Sequence, residues 1–138
     1  MDFNEKGFLG TAIDQFSRSV QTQYVKFFEL THQINELAHA LKFELQVHNR
    51  DHQEYLAATL FLRLLNGFQA TVILGIKGLL FEGKVVLRSV IESLFILRLL
   101  CKEEGFALEY LGSSKVQSLK WMNIAHENKD PNFEYLRQ

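Results

Sequence analysis

VVLRSVIESLFILRLL, residues 85–100, carries eleven Val, Leu, Ile or Phe residues, and Arg88, Glu92 and Arg98 interrupt them. It contains neither Gly nor Pro and is too long for an ordinary strand, so it reads as a helix. Arg88 and Glu92 lie four residues apart and share one helical face with Val85, Phe95 and Leu99. Arg before Glu is the weaker order for an ion pair within a helix, so helix stabilisation alone explains it poorly. On so apolar a face the pair is expected to be at least partly buried. It then needs polar partners from another helix, Gln69 foremost, because a buried pair without them costs several kcal/mol.

A membrane origin for this apolar stretch is disfavoured. Three charges cost roughly 9 kcal/mol at the centre of a bilayer, and eleven apolar residues return roughly 5. The segment 56–76, with Arg63, Asn66 and Gln69, lies nearer the margin. The opening MDFNEKGFLG lacks the basic and apolar regions of a signal peptide, so a soluble, cytoplasmic protein is expected.

Outward from residues 85–100 the chain is helical throughout. One Pro in 138 residues, Pro131, permits long uninterrupted helices. From Ile13 to Leu45 apolar residues recur at steps of three and four, which predicts an unusually long first helix over about 11–48. Asp51 with Glu54 has the form of a capping box, opening a second helix over about 52–76. Gly78 marks a turn, and a third helix spans about 82–103. Gly105 marks another, and a fourth helix spans about 106–126, with Gly112 a weak point inside it. The tail, 127–138, keeps Phe133, Tyr135 and Leu136 and is expected to dock. One all-α domain follows, an antiparallel four-helix bundle with a long first helix. The second and third helices are apolar nearly all round. A lone bundle cannot cover that surface, which predicts a homodimer.

Charge is nearly balanced, at 15 basic against 16 acidic residues. That argues against a nucleic-acid footprint. The single cysteine, Cys101, is expected to be a small buried hydrophobe, and Trp121 and the Phe residues to be core.

Chemistry-bearing motifs are sparse. ELTHQINELAH, residues 29–39, repeats Glu-x-x-His as Glu29/His32 and Glu36/His39. Di-iron bundles use that motif on different helices, whereas both copies here share one. They are expected to form a solvated stripe opposite Ile34 and Leu41, so no metal and no cofactor is expected. A metal site completed by another subunit is the weakest option. Ser89 and Ser93 stand in no nucleophile elbow, and GIKG lacks the form of a phosphate loop. Matching heights along folded helices gathers His32, Asn35, Asn66, Gln69, Arg88, Glu92 and Gln117 into one polar layer. That layer is either a register-fixing network or a ligand site, with Arg88 holding an anion and Glu92 orienting it or acting as a base.

GLLFEGKVVLRSVIESLFILRLL, residues 78–100, followed by ALEYLGSSKVQSLKWM, residues 107–122, resembles an uncharacterised family of bacterial all-helical proteins with a Leu-x-Arg-Ser-x-x-Glu helix. Leu87, Arg88, Ser89 and Glu92 carry the likeness, which implies a helical fold and no known activity. The architecture is also similar to HEPN ribonuclease bundles. Their Arg followed after four to six residues by His is absent, which argues against ribonuclease activity. The reading that results is a non-enzymatic helical protein acting through self-association and a possible protein partner. A ligand-binding or hydrolytic bundle built on the polar layer is the alternative.

Overall fold

The structure, a computed structural model, describes residues 3–48, 52–103 and 105–127, with side chains as far as residue 116. Among these residues there are six α-helices and no strand. They are α1 (Phe3–Lys6), which runs into a 3₁₀ turn (Gly7–Leu9), then α2 (Ala12–Gln23), α3 (Val25–Glu44), α4 (His52–Ile76), α5 (Leu80–Lys102) and α6 (Phe106–Glu127).

The most extensive packing is that of the α4/α5 hairpin. Its turn is set by Gly78 at φ +78°, with Leu79 N–H donating to Leu74 O and Gly78 N–H to Gly75 O. This is a Schellman closure, and it needs the left-handed residue that glycine supplies. Within the hairpin the backbones come close at Gly67. A Cβ there would stand 2.5 Å from Val90 Cγ2. Gly67→Ala is therefore expected to lower stability by about 1–2 kcal/mol, overpacking outweighing alanine's helix propensity. Urea denaturation checks this, and Val90→Ala in the same chain should recover most of the loss.

The core is small. Leu60 of α4, Leu100 of α5 and Ala107 of α6 enclose one another, flanked by Leu56, Ile96, Leu97 and Phe106. This cluster joins α6 to the open end of the hairpin. Near the turn, the N-terminal segment covers the hairpin tip. Phe3 and Phe8 meet edge to face at 5.3 Å, and with Ile13 and Phe16 they line a hollow against Lys77 and Gly78. Lys77 Nζ donates to Asp14 Oδ1 at 2.7 Å. That bond and the Lys77 charge, helped by Arg18, hold the Asp14 carboxyl below its usual range. The depressed value means this contact stabilises the fold above the ordinary carboxylate range and is lost as pH falls through the lowered value. In Lys77→Met the Asp14 pKa should rise toward its ordinary value, and a carboxylate NMR titration reads it directly.

Several expectations are corrected. The long first helix breaks at Tyr24 (φ −114°, ψ 38°), with no Gly or Pro to announce it. On either side of the break, Val20, Tyr24, Phe27 and Phe28 line a hollow with Thr71, Val72, Gly75 and Ile76 of α4. The helix also ends at Glu44 rather than near residue 48. The four expected helices become six, and α3 makes only a light contact with α4, so the closed four-helix bundle is replaced by a hairpin carrying flanking helices. Cys101 is exposed rather than buried, and so are Phe3, Phe8, Phe16, Phe27, Phe43, Phe81 and Phe95. Glu54 accepts from His48 N–H at 2.9 Å, upstream of the expected cap, and Asp51 lies outside the described residues. The helix passes through Gly112 without interruption. Trp121 and the tail residues Phe133, Tyr135 and Leu136 lie outside the described side chains. Among the described residues one helix, α4, is long and apolar enough to cross a membrane, a test that core helices also pass.

Candidate functional site

The α3 helix places its faces opposite to expectation. His32, Asn35 and His39 lie on the side turned to α4, and Gln69 of α4 meets them. Leu30, Ile34, Leu37 and Leu41 lie about 160° round the helix at 100° per residue, and all are exposed. The Glu-x-x-His stripe is thus not simply solvated opposite a core face. Glu29, His32 and Glu36 are exposed, while His39 is half-buried and bonded.

The α3/α4 junction is a small polar network. Gln69 Nε2 donates to Asn35 Oδ1 at 2.8 Å and lies 2.9 Å from His39 Nε2. One amide nitrogen carries two hydrogens and can serve both, provided that His39 presents Nε2 unprotonated. His32 stands at the rim of the shallow hollow beside it, with Thr31, Phe68 and Val72.

A second polar group sits on the other side of α4. Arg63 Nη2 donates to Ser89 Oγ at 3.3 Å across the hairpin. Asn66 lies beside them in an open groove of about 670 Å³ that Leu62, Val85, Val90 and Ser93 also line. The groove is lined by one Arg and three hydroxyl residues, Thr59, Ser89 and Ser93. Arginine stays protonated, so it supplies no base to activate Ser89.

Arg88 and Glu92 belong to neither group. They lie on the side of α5 away from α4, with side chains 82% and 60% exposed, and their partner is each other, Arg88 Nε to Glu92 Oε1 at 2.9 Å. The expected layer of seven residues therefore separates. Gln69 meets Asn35 and His32 at the α3/α4 junction, Asn66 lines the groove, and Arg88 and Glu92 face outward, away from α4. The Gln117 side chain lies outside the described residues. Equal height along two helices brings side chains together only if they also face each other, and here they do not. His39 and Arg63 were missed as partners, although their polar character within apolar-rich helices marked them. Among the described residues no group of three His, Cys, Asp or Glu side chains converges as a metal site would require.

With Arg88 and Glu92 on its exposed side, α5 presents the stripe Phe81, Val85, Arg88, Glu92, Phe95 and Leu99, at steps of four and three. The molecule is thus an all-helical protein whose most conspicuous features are apolar helix faces turned outward, the one on α5 carrying an ion pair at its centre. The chain belongs to the Family of unknown function (DUF5677), whose model matches residues 54–138. The match takes in nearly all of α4 and the whole of α5 and α6, and leaves α1 to α3 outside it. No curated protein and no solved structure matches the chain.

Proposed function

We propose that this protein acts through association with itself, as a soluble, non-enzymatic helical protein of the cytoplasm. The observation that carries this reading is exposed apolar surface. Leu30, Ile34, Leu37 and Leu41 on the outward face of α3, and Phe81, Val85, Phe95 and Leu99 on that of α5, are all exposed. Soluble proteins rarely leave such faces uncovered. Sedimentation of the purified chain at micromolar concentration tests the reading. An assembly above the monomer mass is expected, and a monomer alone overturns it.

A second reading is favoured by the hairpin groove. Arg63, Ser89 and Asn66 there fit a small anionic ligand better than Arg88 and Glu92 do, because they converge on one open groove with no carboxylate in its lining. A rise in melting temperature with such an anion, abolished in Arg63→Met, supports this reading. The same rise in both proteins contradicts it.

A further inference from the structure

The α5 stripe has a symmetry that a solvent-facing helix does not need. Its steps of four and three make it a seam of alternating a and d positions, with Val85, Glu92 and Leu99 at a and Phe81, Arg88 and Phe95 at d. It runs about 27 Å along the helix. Phe81 and Leu99 are equally distant from Val90, as are Val85 and Phe95, and Arg88 and Glu92. Two such helices related by a two-fold axis level with Val90 run antiparallel and put every a position opposite a d position.

We propose that a second copy of this chain docks here, α5 against α5, with Arg88 of each chain meeting the partner's Glu92 at the centre. This rests on the self-association reading and adds its surface and orientation. Apolar layers close both ends of the seam, Val85 against the partner's Phe95 and Phe81 against the partner's Leu99. Phe81 is 75% exposed and Phe95 61%, so both have surface left to bury. The interface is isologous, and the same patch serves both chains. A parallel, in-register pair would set Arg88 against the partner's Arg88, so charge selects the antiparallel arrangement. The rim adds no cross-chain ion pair: Arg98 is level with the partner's Glu82 but on the opposite edge of the seam, and it shares its own edge with the partner's Lys84. The centre therefore carries the selectivity. The ion pair found within each helix is ready to exchange partners, and its order is the weaker one for staying intrahelical. Val85 and Ser89 also line the hairpin groove, so the seam runs into its edge.

The test is a charge exchange followed by sedimentation equilibrium of the full chain. Arg88→Glu sets carboxylate against carboxylate in its homodimer, and Glu92→Arg sets guanidinium against guanidinium. Each variant alone is expected to self-associate at least tenfold more weakly than wild type. Mixed in equal amounts, the two restore both cross-chain pairs while neither regains an intrahelical pair, so recovery to within a few fold of the wild-type constant is expected. Circular dichroism should show both variants as helical as wild type, because both side chains are exposed. Wild-type dimers with unaffected single variants, or a mixture no tighter than its components, overturn this seam and leave self-association standing, with the α3 stripe as its place. A wild-type monomer overturns both.

Discussion

Leu100→Ala is expected to cost roughly 2–5 kcal/mol of folding stability. Among the described residues Leu100 is the largest side chain with no exposed surface, and it sits where α4, α5 and α6 meet. Its removal leaves a void among Leu60, Ala107, Ile96, Leu97 and Phe106 that helices anchored at one point close only in part. Gln53 of α4 also donates to the Leu100 carbonyl, so the backbone around the void is tied in place. Domains of this size are typically stable by about 5–15 kcal/mol, so one substitution removes a large share of the total. Urea denaturation at fixed protein concentration reads the loss. Leu94→Ala is the control, because Leu94 is exposed on the same helix and lies off the α5 seam. Equal effects at the two positions would contradict the placement of the core.

Phe81→Ala with Phe95→Ala is the second large effect, and it falls on association. Full burial of one Phe side chain gives roughly 1.5–3 kcal/mol. In a two-fold interface each substitution counts twice, so the double variant removes four Phe side chains per dimer. Even at half the full value per ring, the dissociation constant should rise by a factor of at least ~100, at ~1.4 kcal/mol per tenfold. The isolated chain should lose little stability, since both rings are exposed in it. Analytical ultracentrifugation across a concentration series measures the shift. An unchanged constant would remove α5 from the interface.

The sequence made the α4/α5 hairpin legible. Gly78 signalled its turn, Gly105 the end of α5, and unbroken apolar runs gave the two helices between, within two residues of their observed limits. The kink at Tyr24 was not legible, because no Gly or Pro marks it. The facing of α3 was not legible either. Periodicity shows that Ile34 and Leu41 share a face, but not which way that face points. An apolar stripe is assigned to the core by default, and in a chain whose apolar faces exceed what its own helices cover the default fails. The candidate site failed for the same reason. Gln69, Arg88 and Glu92 were placed by height, and azimuth separates them. What the sequence did carry was the surplus of apolar surface, and with it the expectation of a partner.

If a second copy of the chain covers the outward helix faces, the wild-type protein is a dimer in solution. Sedimentation equilibrium of the wild-type protein from one to one hundred micromolar, taken as rough bounds from the affinity of ordinary stable dimers, tests it most directly. A species of twice 16.0 kDa that persists through the upper part of that range is expected. A single species of 16.0 kDa at every concentration would contradict it.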